Sequence, residues 1–247
     1  MQTQSVEFSS EGQTVRGDLL VTTPGAPCIL MSHGFEASKD GTKWSFLTPR
    51  LVESGYAVLK FNYRGCGYGE EASDGLFEDT ILSARIADYR AALDFLQNAD
   101  IDADRIAVIG SSFGGEIPIA ALDPRVKAYV LLATPSRPQS PTAAQLAECR
   151  ATGYFSLPSG KRLTQKYFED GAQYDLCEAA GRLDRPVLII HGSLDADVPV
   201  QQAKELYAHA RDPKKLAIFE GAEHALRRTE DMQRILELSL GWFEAHL

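Results

Sequence analysis

The chain has 247 residues, of which 44% are hydrophobic and 24% charged, and it carries a net charge of −9 at pH 7. This composition is typical of a soluble globular protein and excludes fibrous and intrinsically disordered classes. The acidic balance excludes an ordinary nucleic-acid footprint, because a phosphate backbone would be repelled on average. The length fits one sizeable core, and we expect a single domain over residues 1–247.

The N terminus and the cysteines bear on location and on metal binding. Residues 1–7 lack the basic and apolar regions of a secretory signal, which predicts a cytoplasmic protein. No apolar run approaches the ~20 residues of a membrane span, so no membrane partner is expected. The cysteines form no Cys-x-x-Cys pair, so we predict no metal site. We expect free thiols, with Cys28 buried in a strand, but a bridge between Cys149 and Cys177 stays open.

Short apolar runs alternate with longer amphipathic stretches, which predicts an α/β fold with a mostly parallel sheet and helices on both faces. The first segment, Val6–Val21, alternates polar and apolar residues and predicts an antiparallel hairpin at the sheet edge. Five near-continuous apolar runs, as expected of strands buried on both faces, follow in chain order: Cys28–Met31, Ala57–Phe61, Ile106–Ile109, Ala128–Leu132 and Val187–Ile190.

Helices are predicted between these strands, where apolar residues recur at three- and four-residue spacing. The segments with this spacing are Phe46–Val52, Ile81–Leu96 and Ile235–Phe243. Asp79 or Thr80 is expected to cap the second of these helices, because short polar side chains favour the position before a helix.

A long segment separates the strand ending near Ala133 from the strand starting at Val187. It has about fifty residues, whereas an ordinary connection in such a fold has roughly 2 to 6. Prolines and glycines interrupt it repeatedly, so we predict an irregular lid over residues 135–184 rather than a second domain. Its aromatic residues could form the lid's own small core or line a substrate pocket, with Tyr167 as the candidate substrate contact.

The motif Gly110-Ser111-Ser112-Phe113-Gly114 directly follows a predicted strand and precedes a helical stretch. In this context Gly-x-Ser-x-Gly forms a strained turn that exposes the serine at the end of a sheet. The following helix N-terminus favours negative charge nearby. The motif therefore predicts Ser112 as a nucleophile, and the alternative is a flexible turn without chemistry.

A second loop, His33-Gly34-Phe35, ends another buried strand. In hydrolases such a loop brings a backbone N–H toward the substrate carbonyl oxygen. We therefore predict an oxyanion hole made by the backbone N–H groups of Phe35 and of Phe113, the residue after the nucleophile. His33 itself is expected to fix the loop by hydrogen bonding.

A serine hydroxyl needs a histidine to accept its proton, and a carboxylate to orient that histidine. Four of the five histidines stand at strand ends, in a helical stretch or near the C terminus, namely His33, His191, His209 and His246. His224 remains as the predicted general base, in a loop after the apolar run Ala217–Phe219.

Two aspartates compete to orient this base in the loop after Ile190. The pattern His-Gly-x-x-Asp favours Asp195. Asp197 stands just before Pro199 and the next helix, where a capping or loop-bracing carboxylate is ordinarily found.

The motifs, in their order, resemble the α/β-hydrolase superfamily; they are His33-Gly34-Phe35, Asn62-Tyr63-Arg64-Gly65-Cys66-Gly67, Gly110-Ser111-Ser112-Phe113-Gly114, His191-Gly192-Ser193-Leu194-Asp195 and Gly221-Ala222-Glu223-His224. Within it the chain is most similar to small bacterial feruloyl or cinnamoyl esterases, and next to prolyl-oligopeptidase-like hydrolases. The resemblance implies a triad of Ser112, Asp195 and His224 that cleaves small carboxylic esters, including feruloyl, cinnamoyl or short-acyl esters. Such a mechanism needs no metal or organic cofactor.

The fold cannot by itself choose among related activities. A peptidase or a thioesterase could use the same triad. The non-enzymatic alternative is a protein of this fold that binds a ligand in the pocket without catalysis. The oligomeric state also stays open, with a homodimer as one option.

Overall fold

The computed structural model describes residues 2–247, and its strands form one large sheet and one small hairpin. Within this range the strands in chain order are β1 (Gln2–Ser10), β2 (Gln13–Val21), β3 (Ala26–Ser32), β4 (Ala57–Asn62), β5 (Ile101–Ser111), β6 (Val126–Leu132), β7 (Tyr154–Ser156), β8 (Arg162–Thr164), β9 (Val187–Gly192) and β10 (Lys214–Phe219). The large sheet has the order β1-β2-β4-β3-β5-β6-β9-β10, and β7 pairs only with β8 in the described residues.

The large sheet is parallel except at one edge. β1 and β2 form the predicted edge hairpin, with a turn at Glu11 and Gly12 where both residues have positive φ. β2 also runs antiparallel to β4, and the remaining neighbours are parallel. The prediction of a mostly parallel sheet with an antiparallel edge is therefore confirmed.

Helices cover both faces of this sheet. They are α1 (Thr42–Glu53), α2 (Leu82–Leu96), α3 (Phe113–Ala121), α4 (Ala143–Thr152), α5 (Lys166–Gly171), α6 (Leu176–Arg182), α7 (Val200–His209) and α8 (Thr229–His246), together with short 3-10 turns at Gly69–Glu71 and Phe77–Asp79. The three predicted helices correspond to α1, α2 and α8. The first and third are longer than predicted, because polar residues and the buried side chains of Trp44 and Met232 extend them at their N-terminal ends.

The predicted cap of α2 is wrong. The residue before this helix is Ile81, whose side chain makes no capping hydrogen bond. The first turn is instead capped from a distant segment, because Oδ1 of Asp170 accepts the backbone N–H of Ser83 at 2.9 Å. A long-range cap of this kind leaves no local sequence signal.

The strand β3 shows why the core strands are apolar on both sides. Its residues Cys28 and Leu30 pack in the cluster that includes side chains of α2, α3 and α6. Ile29 and Met31 point the other way, into the cluster that includes α1 and α8. Because successive side chains of a strand alternate between faces, a sheet covered on both sides needs a continuous apolar run.

Close backbone contacts bring the loops at the carboxyl edge of the sheet together. A Cβ at Gly114 would lie 2.2 Å from the carbonyl oxygen of Ser32, so the start of α3 can pack on the end of β3 only with glycine there. A Cβ at Gly192 would lie 2.2 Å from the carbonyl oxygen of Ala222. The loops that follow β3, β5, β9 and β10 therefore meet at one edge.

The segment 135–184, called the insertion below, holds α4, the β7–β8 hairpin, α5 and α6. It is more regular than predicted, because a capping box between Thr142 and Gln145 starts α4 among residues that otherwise break helices. Its own small apolar cluster consists of Cys149, Phe155, Leu163 and Phe168. The helix α6 differs from the rest of the insertion, since its apolar residues join the cluster on the sheet. The role of the insertion as a lid stays a prediction.

The four cysteines are free thiols, so the bridge between Cys149 and Cys177 that the sequence left open is not formed. Cys28 lies fully buried near the start of β3, as expected, and burial raises the pKa of its thiol to about 12. Among residues 2–247, no helix combines the length and the apolar content needed to cross a bilayer.

Candidate active site

Ser112 lies on a sharp turn between β5 and α3. Its backbone has φ 54° and ψ −126°, a strained conformation for a residue with a side chain. The turn is held by the backbone N–H of Ser112, which donates to the carbonyl of Leu132 at 2.8 Å. It also requires glycine at position 110, where a Cβ would lie 2.4 Å from the carbonyl oxygen of Gly114. The predicted strained turn is thus present, with the serine hydroxyl at the edge of the sheet.

A hydrogen-bonded relay joins the three predicted side chains. Nε2 of His224 lies 3.0 Å from Oγ of Ser112, and Nδ1 of His224 lies 2.8 Å from Oδ2 of Asp195. A proton on Nδ1 satisfies the carboxylate and leaves the Nε2 lone pair facing the hydroxyl. In this tautomer the histidine can accept the hydroxyl proton.

The carboxylate of Asp195 is held by a dense set of donors. Its Oδ1 accepts the backbone N–H groups of Asp197 at 3.0 Å and Val198 at 2.7 Å. Although burial raises the pKa of Asp195, hydrogen bonds from His191, His224 and the Val198 backbone outweigh it and hold the pKa well below its usual value. Asp195 is therefore charged and can stabilise an imidazolium beside it.

The competing aspartate has a different place. Asp197 is exposed at the rim of a cavity, and only its backbone N–H reaches the relay, by donating to Asp195. The predicted capping role is wrong, because α7 begins after Pro199 with no side-chain capping bond. Of the two carboxylates, Asp195 is the one in contact with His224.

Sequence reasoning missed the contact made by His191. This fully buried side chain places Nε2 2.8 Å from the carbonyl oxygen of Val198 and 3.1 Å from Oδ2 of Asp195. One N–H shared between these acceptors fixes the loop that carries the carboxylate. A spacing of four residues between His191 and Asp195 was visible in the sequence, but it becomes informative only once the turn between them is known.

The loop after β3 lies directly against the nucleophile. A Cβ at Gly34 would lie 2.9 Å from the carbonyl oxygen of Ser111, the residue before the nucleophile, so only glycine permits this approach. Among the described residues, the backbone N–H groups of Phe35 and Phe113 donate to no other group. Two unused donors on the loops flanking the nucleophile are what an oxyanion hole requires.

His33 braces this loop, as expected. Its Nε2 accepts the backbone N–H of Tyr63 at 3.2 Å, and its Nδ1 donates to the carbonyl of Gly34 at 2.9 Å. Burial, with a further contribution from the positive charge of Arg85, lowers the pKa of His33 to about 3. The side chain is therefore neutral and has both nitrogens engaged.

Two cavities open on either side of the relay and share Phe35, Ser112 and His224. The first cavity has a volume of about 620 Å³ and is bounded by α3, the insertion and the loop after β9. The second cavity, of about 500 Å³, is bounded by the loop after β3, the start of α1 and the loop after β10. A group bound over Ser112 can therefore extend in two directions.

Tyr167 lines the first cavity, as predicted for a substrate contact. Its ring centroid lies 5.5 Å from that of Phe35 and 6.1 Å from that of Phe113. Tyr167 also packs against the small cluster of the insertion, where Phe155 and Phe168 are buried. Tyr167 therefore lies between the small core of the insertion and the cavity, and its contact with a substrate stays a prediction.

Two ionisable residues beside the relay were not predicted. Glu116 is 4% exposed and lines the first cavity. Lys43 lines the second cavity, and its Nζ donates to Oγ of Ser111 at 2.9 Å. Burial and the charge of Arg227 lower the pKa of Lys43 to about 8. The sequence could have identified Glu116, because it is the lone acidic residue in the otherwise apolar stretch that forms α3. No comparable pattern marks Lys43.

No set of three or more His, Cys, Asp or Glu side chains in the described part of the chain is placed to hold a metal ion.

The parallel sheet with an antiparallel edge, the turn at Ser112 and the loops that carry Asp195 and His224 define the chain as an α/β-hydrolase. The prolyl oligopeptidase family matches residues 43–247, and the protein belongs to this family. The expected superfamily is confirmed. Within the superfamily, this family is the one to which the sequence motifs were second most similar, after the feruloyl esterases.

Relatives and solved structures agree with this assignment. The chain is 27% identical to the uncharacterised protein YfhR of Escherichia coli, over 90% of this chain and 73% of that protein. It is 24% identical to the polyketide transferase GrgF of Penicillium, over 98% of this chain and 96% of GrgF. The crystal structure of GrgF superposes with a TM-score of 0.86 at 22% identity, covering 100% of this chain and 99% of that one.

A further structural neighbour is Est1E of Butyrivibrio proteoclasticus, solved with bound ferulic acid. It superposes with a TM-score of 0.82 at 20% identity, covering 97% of this chain and 99% of Est1E. At such identities these structural similarities establish the fold alone.

Proposed function

We propose that the protein is a serine hydrolase that cleaves carboxylic esters, with Ser112 as nucleophile, His224 as general base and Asp195 orienting that base. The observation that carries the proposal is the relay, with 3.0 Å between Ser112 Oγ and His224 Nε2 and 2.8 Å between His224 Nδ1 and Asp195 Oδ2. Both distances lie within hydrogen-bond reach, as proton transfer during attack requires.

In the first half of the reaction, Oγ of Ser112 attacks the ester carbonyl carbon while Nε2 of His224 takes the hydroxyl proton. The carbonyl oxygen becomes an oxyanion, held by the backbone N–H groups of Phe35 and Phe113. Collapse of this intermediate breaks the bond to the alcohol oxygen, to which His224 returns the proton. The acyl group stays on Ser112, and Asp195 stabilises the transient imidazolium.

In the second half, His224 takes a proton from water and the resulting hydroxide attacks the acyl-enzyme carbonyl. The same two N–H groups hold the second oxyanion. Collapse releases the acid and returns the proton to Oγ of Ser112. The donors needed for both halves come from this chain's own backbone and side chains.

The two cavities suit a small ester whose carbonyl lies over Ser112. One substituent of the carbonyl would occupy the first cavity and the other the second. The rings of Phe35, Phe113 and Tyr167 at the first cavity favour a flat or apolar acyl group. The likeness to Est1E, solved with ferulic acid, supports including feruloyl and cinnamoyl esters among the candidates, beside short-acyl esters.

The decisive experiment is replacement of the nucleophile. Ser112→Ala should lower kcat for p-nitrophenyl acetate by about 10³-fold or more, because the remaining donors alone give only residual catalysis. A fluorophosphonate probe should label the wild-type protein at Ser112 and leave Ser112→Ala unlabelled. Ser9→Ala, at an exposed position of β1, is the control that should behave as wild type.

Two outcomes would contradict the proposal. Labelling that persists in Ser112→Ala would assign the nucleophile elsewhere. A folded wild-type protein that takes no label would favour the non-catalytic binding protein.

Cleavage of peptides or acylated amines is the second candidate, favoured by membership of the prolyl oligopeptidase family. The same relay would serve an amide or a thioester, since only the leaving group differs. A panel of esters, thioesters and amides with one common acyl group separates these activities. A larger kcat/KM for the amide than for the ester would replace the ester assignment.

A further inference from the structure

Glu116 is an unpartnered acid at the wall of the first cavity. It lies on α3, three residues after Phe113, and it is 4% exposed. Its Oε2 is buried and finds no hydrogen-bond partner among the described residues. The side chain nevertheless lines the cavity that also contains Ser112 and Tyr167.

Such an arrangement lowers stability. A buried polar group without a partner has lost its hydrogen bonds to water and gained none in return, and the loss is larger if the group is charged. The neighbouring positions on α3 are occupied by buried apolar side chains, among them Phe113, Ile117 and Ile119. Nothing in the packing of α3 therefore requires an acid at this position, whereas a group bound against Glu116 in the cavity would give its carboxyl a hydrogen-bond partner.

The surroundings of Glu116 favour its neutral form. Burial raises the pKa of Glu116 well above its ordinary value, which favours the protonated carboxyl, a hydrogen-bond donor. Glu116 forms no ion pair with the other described residues that would oppose this effect.

The burial of Glu116 decides between two kinds of ligand group. An ammonium in the first cavity would lose its own hydration and would require the buried Glu116 to lose its proton. A neutral oxygen meets neither obstacle and can accept the hydrogen bond directly. The hydroxyl of Tyr167, at the same cavity, makes no hydrogen bond to the other described residues and is a second group able to serve such an oxygen.

We propose that Glu116 is a specificity-determining residue that donates a hydrogen bond to a neutral oxygen, a hydroxyl or a carbonyl, on the acyl part of the ester. The inference rests on the proposed function. The acyl part is favoured over the alcohol because it stays bound to Ser112 through both halves of the reaction, while the alcohol must leave after the first. A buried, specific contact suits the group that stays.

The test compares two p-nitrophenyl esters of equal length, one with an alkyl acyl chain and one with a hydroxyl or keto group on that chain. Wild type should prefer the oxygen-bearing ester in kcat/KM. Glu116→Leu should lower this preference about tenfold or more, because the buried oxygen loses its donor. Glu116→Gln keeps an N–H donor and should retain most of the preference.

Parallel measurements separate failure of this inference from failure of the proposed function. Wild type that neither takes a fluorophosphonate label nor hydrolyses either ester would reject the proposed function itself. If wild type and Glu116→Leu are both labelled by the fluorophosphonate, the nucleophile is intact in both. An unchanged preference for the oxygen-bearing ester would then overturn the role of Glu116.

Two further outcomes would also overturn it. A preference that falls as far in Glu116→Gln as in Glu116→Leu would reject the assignment of a hydrogen-bond donor. A wild-type preference for aminoacyl esters that disappears in Glu116→Gln would replace the neutral oxygen by an ammonium group.

Discussion

Asp195 and Glu116 are two buried carboxyl groups near the same nucleophile, and their surroundings differ in one respect. Asp195 accepts hydrogen bonds from two backbone N–H groups and lies next to two imidazoles. Glu116 has a buried oxygen with no partner within residues 2–247. Burial acts in the same direction on both, yet the pKa of Asp195 is lowered and that of Glu116 is raised.

The backbone explains the difference in donors. Asp195 stands in a turn after β9, where the N–H groups that follow it are not used by a strand or a helix and can point at its carboxylate. Glu116 lies within α3, where the N–H groups that follow it serve the helix itself. A buried acid on a turn can therefore be held charged, and one on a helix stays neutral unless another segment or a ligand approaches.

The largest effect on activity is expected when Asp195, the charged carboxyl of the two, is replaced by a neutral residue. In Asp195→Asn the amide nitrogen can donate to Nδ1 of His224, which stabilises the wrong tautomer and leaves no lone pair toward Ser112. We expect kcat for an ester to fall by about 10³- to 10⁴-fold with little change in KM. Steady-state kinetics with p-nitrophenyl acetate measures this.

Asp197→Asn is the matched control, since it makes the same change two residues away at a side chain that does not contact the histidine. Its activity should stay within about tenfold of wild type, as expected of a residue at the cavity rim. Equal losses in Asp195→Asn and Asp197→Asn would remove the distinction between the two aspartates.

The raised pKa of Glu116 should make the free energy of unfolding depend on pH. Because the pKa of Glu116 is raised in the folded protein, the folded state keeps a proton that the unfolded chain loses above pH ~4.3. Stability contributed at this site therefore falls as the pH rises toward the folded pKa, by up to about 1.4 kcal/mol per pH unit. Glu116→Gln removes this loss, so its free energy of unfolding should exceed that of wild type increasingly between pH 4.5 and pH 7.

Urea unfolding of both proteins at several pH values checks this expectation. Burial is the cause of the raised pKa of Glu116, and Tyr167, whose pKa is also raised by burial, does not change charge in this range. For Asp195 the sign is opposite, because its lowered pKa gives stability that is present above pH ~3.9 and lost as the pH falls further. A constant difference between Glu116→Gln and wild type across the range would show that Glu116 is ionised in the folded protein.

The sequence predicted those parts of the site that depend on the local backbone. The turn at Ser112 and the approach of Gly34 both exclude a Cβ, so each requires glycine at fixed offsets, and those offsets are readable. His224 followed from its place after the last strand. The contact of His191 with Asp195, and the lack of a hydrogen-bond partner for Glu116, could not be predicted from the sequence. Both depend on which side chains other segments place beside these residues.

The same reason accounts for the insertion. Its helix α4 begins at a capping box that is local and could have been read, while its attachment to α2 through Asp170 could not. Asp170 and Ser83 are 87 residues apart, and no pattern around either of them identifies the other.

The smallest effect is expected for a third buried carboxyl, that of Asp170. It tests the rule that nearby hydrogen-bond donors determine the role of a buried acid. Asp170 is on the insertion, and its carboxylate accepts both the backbone N–H and the hydroxyl of Ser83 at the start of α2. Asp170→Ala should lower the free energy of unfolding by about 1 kcal/mol, the usual effect of a lost helix cap. Because the same bonds tie α5, which also carries the cavity residue Tyr167, to α2, KM should rise severalfold while kcat changes less. Asp175→Ala is the matched control, since Asp175 caps α6 within the insertion by accepting the N–H of Glu178 at 2.8 Å. It should lower stability by a similar amount and leave KM near the wild-type value, and a KM that rises equally in both variants would show that Asp170 acts only as a cap.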